Sequence, residues 1–407
     1  MASFHAADAK QVSEVVAWAM AKERPLAIVG GGSKRGVGRP LQVEHVLEVS
    51  ALSGIGEYEA AELVLTAGAA TPLAEIEAAL DANHQMFACE PADWRTLLGT
   101  ESSTQTLGGA LSCNLAGPRR IRAGAARDHF LGFQSVNGRG EIYKAGGKVV
   151  KNVTGYDLCK LIAGAYGTLG VLTEVTIRVT PKPETARTIL LFGLNDEAAV
   201  RAMADGLNSP HEVSGAAHLP QTVARRSQVS AIARAGGAVT ALRIEGPEPS
   251  TAYRGQALVE EIRSYGATEY LDASDTEVLW REVRDAALLA EPRECHVWRI
   301  SVTPSSGPSV AADIAARASA EFYYDWGGGL IWAAVAGSTD AGASAIRTAI
   351  AAHGGGHGTL LRAPESIRAA VPVFEPLPGP LAALCARVKE SFDPRRVLNP
   401  GRMYAGV

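Results

Sequence analysis

The chain of 407 residues carries a net charge of −4, and 47% of its residues are hydrophobic, so it is long enough for two domains with sizeable cores. It contains no run of five basic residues, which argues against nucleic acid and anionic membrane surfaces as partners. No apolar run approaches the roughly 20 residues of a membrane-spanning helix. The first residues include Asp8, Lys10 and Glu14 and no apolar leader core, so we expect no signal peptide.

The cysteines are odd in number, widely spaced and form no CxxC pair. This usage is typical of reduced thiols in a cytoplasmic protein. An iron–sulfur cluster needs clustered cysteines, so a cluster that takes electrons from this chain would belong to a partner. The five cysteines are Cys89, Cys113, Cys159, Cys295 and Cys385.

The first elements alternate between helix and strand. Residues 8–22 predict an amphipathic helix that Asp8 caps, with Gln11 as its capping-box partner. Thr71 and Pro72 predict the start of another helix, because a hydroxyl cap and a proline at the first helical position are favoured there. Strands are predicted at 26–29, 45–49 and 62–66.

A triple glycine follows the first of these strands, and Ser33, Lys34 and Arg35 come directly after it. Successive backbone N–H groups in such a turn form an anion-binding nest, to which the serine and the two cations add donors and positive charge. The stretch is neither a P-loop nor a dinucleotide fingerprint, since both would lead into a helix with a different spacing. Taken alone, the cluster is a weak signal, because most loops of this kind are plain turns.

The central stretch from Gly108 to Thr180 is rich in glycine and small residues. Gly108-Gly109 lets backbone approach a ligand closely. Residues 155–164 predict a short helix, and a glycine turn at 167–170 then feeds a strand at 171–179. Such a turn is a place where a flat cofactor can lie against backbone.

Two prolines in residues 181–184 predict a domain boundary. The segments after it spell the order βαββαβ twice, which is the ferredoxin-like split unit, and the two units are expected to pair into one antiparallel sheet backed by helices. The first unit comprises 188–194, 196–207, 212–218, 238–245, 250–264 and 267–271. The second comprises 295–302, 308–320, 321–325, 330–335, 339–353 and 359–362. A last helix at 380–391 places Leu381, Leu384, Cys385 and Val388 on one apolar face.

Several motifs together resemble the vanillyl-alcohol-oxidase-like FAD-linked oxidases, and more closely the E-subunit family of bacterial glycolate oxidases. The most specific are KVVKNVTGYDLCKL at 148–161, and the tail with FDP at 392–394 and LNPG at 398–401. The others are GGGSK at 30–34, TLGG at 106–109, GTLGVLTE at 167–174 and DWGGG at 325–329. The resemblance implies an α+β fold, with a two-part FAD-binding domain and a ferredoxin-like sheet domain built from the two units. It implies domains at 1–180 and 181–375, with residues 376–407 returning to the FAD domain.

The resemblance also implies non-covalent FAD and a set of residues that contact it. Relatives with a linked flavin carry a histidine in the first glycine loop, where Ser33 stands here, and a buried small residue is the commoner interpretation of Cys113. Plain turns, packing contacts and a helix cap remain the structural alternatives for the glycines. The expected cofactor contacts are Gly31, Gly32, Ser33, Lys34, Pro91, Leu107, Gly108, Gly109, Ser112, Asn114, Gly117, Gly170, Val171 and Asn399.

No metal site and no catalytic residue is predicted. His353 and His357 have metal-ligand spacing for a helix, but the three glycines between them disfavour a helix. The histidine–acid motif of the catalytic hydroxyacid branch is absent. Lys148, Lys151 and Tyr156 are candidates for holding a substrate carboxylate or reduced flavin, or are ordinary solvated and core residues.

The function implied by the resemblance is that of the flavoprotein subunit of a glycolate oxidase or dehydrogenase complex. Such a subunit takes part in oxidation of glycolate, a small 2-hydroxy acid, to glyoxylate, with electron transfer through flavin. The implied partners are the D-type flavoprotein and the F-type iron–sulfur protein of that complex, in the cytoplasm or membrane-associated through partners. Two alternatives stay open: a stand-alone FAD-dependent 2-hydroxy-acid or alcohol oxidoreductase, and a non-catalytic flavin-binding scaffold.

Overall fold

The computed structural model describes residues 2–148 and 155–407. The part of the chain before residue 182 forms a three-stranded parallel sheet, in the order β1-β3-β2, and a five-stranded antiparallel sheet, in the order β4-β5-β9-β7-β8. The strands are β1 Ala2–His5, β2 Leu26–Val29, β3 His45–Glu48, β4 Ile55–Glu59, β5 Val64–Gly68, β6 Gln85–Met86, β7 Phe130–Val136, β8 Ile142–Gly146, β9 Val171–Arg178 and β10 Thr180–Pro181. The helices are α1 Ala9–Lys22, α2 Leu73–Asp81, α3 Arg95–Leu98, α4 Leu107–Ser112, α5 Arg120–Ala123, α6 Ala126–His129 and α7 Leu158–Ile162.

Helix α1 begins at the predicted cap. The Asp8 side chain accepts a hydrogen bond from the Gln11 amide at 2.8 Å, and the Gln11 side chain accepts one from the Ala7 amide. Val12 and Val16 are buried against Leu26 and other residues of the parallel sheet, as an amphipathic helix requires.

The second helix begins differently from the prediction. Pro72 is its cap residue, and no side chain caps the helix. The Thr71 hydroxyl is used elsewhere: it donates to the Gly68 carbonyl at 2.7 Å and accepts from the Gly54 amide at 2.9 Å. The hydroxyl therefore fixes the loop before α2 instead of the helix itself.

The third predicted strand is displaced by two residues, and its partner strand β4 was not predicted. Residues Ala60–Glu62 form a single 3₁₀ turn, and Leu63 follows it in the left-handed region with a φ of 58°. The strand β5 can begin only after that residue, at Val64.

The remainder of the chain builds one eight-stranded antiparallel sheet in the order β14-β11-β13-β12-β16-β17-β15-β18. Its strands are β11 Thr185–Phe192, β12 Val213–Leu219, β13 Val239–Gly246, β14 Thr268–Leu271, β15 His296–Ser301, β16 Ala320–Asp325, β17 Leu330–Val335 and β18 His357–Arg362. Its helices are α8 Asp196–Asn208, α9 Gln221–Ala224, α10 Ser230–Ala233, α11 Glu248–Ile262, α12 Ala273–Asp285, α13 Gly307–Arg317, α14 Ala343–Ala352 and α15 Glu365–Ala370. Helix α16, Gly379–Phe392, follows.

The strand order confirms the two predicted βαββαβ units. Each unit has its fourth strand beside its first and its third beside its second, and the two units meet where β12 pairs with β16 at His218 and Tyr324. Helix α14 begins four residues later than predicted, because Gly342 is left-handed and the Asp340 carboxylate accepts from the Gly342 and Ser344 amides.

The two faces of this sheet have different neighbours. One face packs under its own helices, with Trp298 and Ile300 in that core. The other face contributes Val297 and Trp332 to a core shared with the sheet of β5 and β9. Side chains alternate along each strand, so residues next to one another in sequence serve the two cores in turn.

Helix α16 exists as predicted, but its predicted apolar face is not fully covered. Leu381 and Leu384 are 44% and 47% exposed, whereas the buried residue of the helix is Lys389. The residues after the helix return to the first part of the chain, where the Leu26 amide donates to the Val397 carbonyl at 2.7 Å and the Asn399 amide to the Leu26 carbonyl at 3.0 Å.

Candidate functional site

A cleft opens between strand β2, the start of α4, the start of β9 and the C-terminal segment. It has a volume of about 320 Å³ and is open to solvent on one side. Its walls come from residues that are as far apart in sequence as Ala27 and Arg402. The glycine turns singled out in the sequence thus meet in one cavity.

The first glycine turn is pressed against the loop before α4. The Thr104 amide donates to the Gly31 carbonyl at 2.9 Å, and a side chain at Gly31 would collide with the Thr104 carbonyl. Gly32 has a φ of +80°, which side-chain-bearing residues rarely adopt. The Ser33 carbonyl accepts a hydrogen bond from the Thr100 hydroxyl at 3.1 Å, which fixes the backbone at this residue. Gly32, Ser33 and Lys34 line the cleft.

The second glycine pair starts helix α4. The Thr106 hydroxyl caps this helix by accepting from the Gly109 amide at 3.2 Å. Gly108 donates to the Ala69 carbonyl at 2.7 Å, and a Cβ there would lie 2.7 Å from the same oxygen. Gly108 is therefore required by packing, whereas a Cβ at Gly109 would meet only the Thr106 hydroxyl.

Strand β9 closes the cleft on its other side. Gly170 and Val171 line the cleft, and a Cβ at Gly170 would lie 2.6 Å from the Ser135 hydroxyl. Asn399 stands behind this wall: its side-chain amide donates to the Tyr166 carbonyl at 2.9 Å and its side-chain oxygen accepts from the Ile28 amide at 2.8 Å. The tail asparagine thus joins two walls of the cleft.

Four cationic side chains and the acidic Glu365 line the cleft. Three of the four cations are Lys34, Arg368 and Arg402, and the fourth is Arg35. Lys34 makes its side-chain hydrogen bond with the Ser33 hydroxyl at 3.2 Å, and burial lowers its pKa. Arg402 and Arg368 donate to the backbone carbonyls of Lys34 and Gly38 at 2.8 and 2.7 Å, and burial lowers the pKa of both. In the described part of the chain none of the three forms an ion pair, so each guanidinium or ammonium is available to an anion.

Sequence reasoning missed Arg368 and Arg402. Both lie more than 300 residues from the first glycine turn, as the Arg402–Lys34 and Arg368–Gly38 bonds show. The one signal that could have found Arg402 is its place directly after the Asn-Pro-Gly turn; nothing local to Arg368 distinguishes it from a solvated arginine.

Most of the other expected contact residues fall outside this lining. Leu107 and Gly31 lie behind it, in the core and against the Thr104 loop. Asn114 is left-handed, with a φ of 48°, and its side chain accepts from the Arg127 amide. Pro91 lines a second, separate cleft beside Trp280, and Gly117 packs against the Glu90 carbonyl. Ser112 lines the first cleft.

The chemistry of Cys113 bears on the mode of attachment. This thiol lines the cleft, and burial raises its pKa although Lys34 and Arg402 favour its thiolate. A thiol with a raised pKa is a weak nucleophile. The residue is thus a poor candidate for a covalent link, in keeping with the expectation of non-covalent FAD.

The remaining candidate residues lie elsewhere. Helix α14 ends before His353 and strand β18 begins at His357, with left-handed glycines between them. Over residues 2–148 and 155–407, no three histidine, cysteine or acidic side chains form a metal-ligating group. Lys148 pairs with Glu57 and Glu59, and Tyr156 is 95% exposed. Lys151 lies outside the described residues. No described helix is long and apolar enough to span a bilayer.

Comparison with known proteins relates this cleft to flavoproteins. Residues 2–146 match a family model described as an FAD binding domain. The chain is 34% identical over 392 residues to glycolate oxidase subunit GlcE of Escherichia coli (strain K12), with 96% of each chain covered. It is 41% identical over 100 residues to glycolate oxidase subunit GlcD of Bacillus subtilis (strain 168), which is 25% of this chain and 21% of that protein.

A solved structure shows the same fold over nearly the whole chain. It is 4-ethylphenol oxidase from Gulosibacter chungangensis, with a TM-score of 0.70 at 13% identity, covering 99% of this chain and 89% of that one. This likeness and the mixed helical and antiparallel architecture confirm the predicted fold class. The similarity to the E. coli subunit extends over 96% of each chain, and the first part of the chain matches an FAD binding domain. The chain therefore belongs to the family of FAD-linked oxidoreductases that includes glycolate oxidase subunit GlcE.

Proposed function

We propose that this chain is the FAD-binding subunit of a glycolate oxidase or dehydrogenase complex and takes part in oxidation of glycolate to glyoxylate. The observation that carries the proposal is the cleft itself, in a chain that is 34% identical to a glycolate oxidase subunit. Two glycine turns meet there with three cations that have no ion-pair partner among the described residues. FAD bound in this cleft would supply a two-electron acceptor, and the protein would supply binding, orientation and electrostatics.

The first glycine turn and the cations are the part of the cleft that suits a diphosphate. Backbone N–H groups of a glycine nest favour phosphate oxygens. Lys34 and Arg402 border that turn, and Arg368 adds a third positive charge. An anion bound here would offset the cost of burying these charges without partners. Gly109 leaves room on the facing wall.

We propose the same domain division as the sequence suggested: an FAD domain of residues 1–180, a sheet domain of 181–375, and a segment of 376–407 that completes the FAD domain. The hydrogen bonds of Asn399 to Ile28 and Tyr166 support the last part of this proposal. The proposed partners are a D-type flavoprotein and an F-type iron–sulfur protein, with any membrane association made through them.

The cofactor proposal is tested by changing Gly109 to leucine. The longer side chain fills space that lines the cleft, so the purified variant is expected to lose most of the visible flavin absorption after reconstitution with FAD. Gly237→Leu is the matched control, because a Cβ there makes only ordinary contacts at 3.7 Å in a loop of the sheet domain. Equal flavin content in both variants and the wild type would show that Gly109 does not border the cofactor site.

The subunit proposal is tested by adding glycolate anaerobically to the flavin-loaded chain. Bleaching of the flavin band only after the D-type flavoprotein is added supports a relay role. Bleaching by glycolate with the chain alone supports the stand-alone oxidoreductase, and a chain that retains no flavin after reconstitution supports the scaffold. Purification from the native source should recover a flavoprotein and an iron–sulfur protein together with this chain, and their absence would overturn the proposed complex.

A further inference from the structure

One corner of the eight-stranded sheet carries polar side chains on the face that meets the FAD domain. Cross-strand partners share a face, and their Cβ atoms lie about 5 Å apart. Two rows of partners cross strands β16, β17, β15 and β18 in turn. One row is Asp325, Leu330, Ser301 and His357, and the next is Tyr323, Trp332, Arg299 and Thr359.

Asp325 and Tyr323 have hydrogen-bond partners in this corner, but several of its other polar side chains do not. Within the described residues, the side chains of Arg299, Ser301, Thr359 and His357 make no hydrogen bond or ion pair, and neither does Arg120, which reaches the corner from helix α5. Arg299, Ser301 and Thr359 are half-buried, whereas Arg120 and His357 are exposed. Two neighbouring guanidinium groups without a carboxylate partner form a place that an anion can occupy.

The turn after β16 holds the two arginines together. Asp325 accepts from the Trp326 amide at 2.7 Å, and Trp326 has a φ of 54°. The Trp326 indole donates across the domain boundary to the Gly117 carbonyl at 3.0 Å. The guanidinium carbons of Arg120 and Arg299 lie over this ring, 4.5 and 4.8 Å from its centre. The DWGGG motif thus presents an aromatic support for two cations.

The electrostatics of the corner favour an anion. Burial and the charge of Arg120 lower the pKa of Arg299 to about 10, and burial and Arg299 lower the pKa of His357. Burial raises the pKa of Asp325, the carboxyl group of the first row, to about 7. Arg299 is half-buried and Arg120 is exposed. A bound anion would offset the repulsion between their two guanidinium groups.

The charge of the corner acts on one residue of the cofactor cleft. Tyr166 lines the cleft, and burial raises its pKa while the charge of Arg299 opposes this effect.

We propose that Arg299 and Arg120, supported by Trp326, bind the carboxylate of a small 2-hydroxy acid, with Ser301, Thr359 and His357 available to its hydroxyl group. The choice of a 2-hydroxy acid rests on the proposed function; the anion specificity rests on the two arginines. Arg299 is assigned a binding role.

The test is calorimetric titration of the flavin-loaded chain with glycolate. Binding is expected for glycolate, at least tenfold weaker binding for acetate, which lacks the hydroxyl, and none for glycolamide, which lacks the charge. Arg299→Met and Arg120→Met are each expected to weaken glycolate binding at least tenfold, with Arg299→Lys intermediate. Arg317→Met is the control, because Arg317 is an exposed residue of α13 that pairs with Asp313.

Flavin content and melting temperature are measured for every variant. A wild type that holds flavin but does not bind glycolate would overturn this site and leave the cofactor proposal standing. Unchanged glycolate binding in both methionine variants would also overturn it. A chain that cannot be loaded with flavin would instead overturn the proposed function, and this inference with it. A second readout is Trp326 fluorescence, which glycolate should change in the wild type and not in Trp326→Phe.

Discussion

Lys389 is the most unusual residue of the C-terminal segment, because a lysine is seldom fully buried. Its ammonium donates to the Thr168 carbonyl at 2.7 Å, to Asp393 at 2.8 Å and to the Leu398 carbonyl at 2.9 Å. The Asp393 carboxylate in turn accepts from the amides of Val397 and Leu398. All three ammonium protons are used, so the pair holds the chain that follows α16 in place beside the cleft.

Replacing Lys389 by methionine should therefore destabilise the protein strongly. The substitution leaves a buried carboxylate without its cation, and removing one partner of a buried pair costs about 3–5 kcal/mol. Denaturant unfolding of the Lys389→Met variant should show a loss of that size, and flavin content should fall with it. The double variant with Asp393→Leu should recover part of the loss; a single variant as stable as the wild type would contradict this account.

At the scale of elements, a small, partly buried polar network lies at the join between the two βαββαβ units. His218 on β12 bonds to the Thr240 hydroxyl at 2.8 Å and faces Asp196 at 3.3 Å. The Tyr324 hydroxyl on β16 donates to Asp196 at 2.6 Å. Strands β12 and β16 pair at a single position in the described sheet, so these side chains add polar contacts to the apolar core that the two units share.

We expect Tyr324→Phe to lower the free energy of unfolding by about 1–2 kcal/mol. A hydrogen bond to a charged group is worth about 1.5–3 kcal/mol, and the Asp196 side chain is 40% exposed, which weakens the bond. The control is Tyr265→Phe. That hydroxyl also donates to a carboxylate at 2.6 Å, from Asp205, but at an exposed site, so its loss should cost less than about 0.5 kcal/mol. Equal losses in chemical denaturation would show that burial does not matter at the join.

The strands and helices of the two βαββαβ units were largely predictable from sequence. The repeated βαββαβ order follows from hydrophobic periodicity, and left-handed glycines such as Gly32 mark turns by their residue type alone. Which face of a helix is buried by the rest of the protein was not predictable. Leu381 and Leu384 have the spacing of a buried apolar stripe but are exposed. Lys389 is of a residue type that is usually solvated but is buried. Sequence period tells which residues share a face, and only tertiary contacts decide which face is covered.

For the whole molecule, the two parts are joined by ionic as well as apolar contacts. Glu90, from the first part, accepts hydrogen bonds from the two terminal guanidinium nitrogens of Arg243, in the sheet, each at 3.0 Å. Arg119 pairs with Glu90 and reaches across to Glu245. Such clusters, like Arg368 and Arg402 in the cleft, join residues far apart in sequence, which is why inspection of local patterns does not find them.

This cluster should make stability depend on acid pH. Burial opposes ionisation of Glu90, but Arg243 and Arg119 outweigh it and lower the pKa from 4.5 to about 2. A lowered folded-state pKa stabilises the protein above the unfolded-state value, and that stability is lost as pH falls from about 4.5 towards 2. The full effect is about 3 kcal/mol at 1.36 kcal/mol per pKa unit.

Unfolding free energies measured at several pH values between 5 and 2 should show the decline in the wild type. Glu90→Gln should be less stable at pH 5 and should lack this part of the decline, because it has no proton to gain. A variant whose pH dependence matches that of the wild type would show that other carboxylates cause the acid sensitivity.

Residues from opposite ends of the chain form the cleft, so the cleft is complete only when nearly the whole chain has been synthesised. Arg402 bonds to the Lys34 carbonyl across 368 positions of sequence. At roughly 5–20 residues per second, a ribosome needs on the order of 20 to 70 s to make the chain between them. During that time the nascent first domain lacks the Asn399 and Arg402 contacts. On the proposal that FAD binds in this cleft, we expect tight binding of the cofactor only after residues 399–402 have been synthesised.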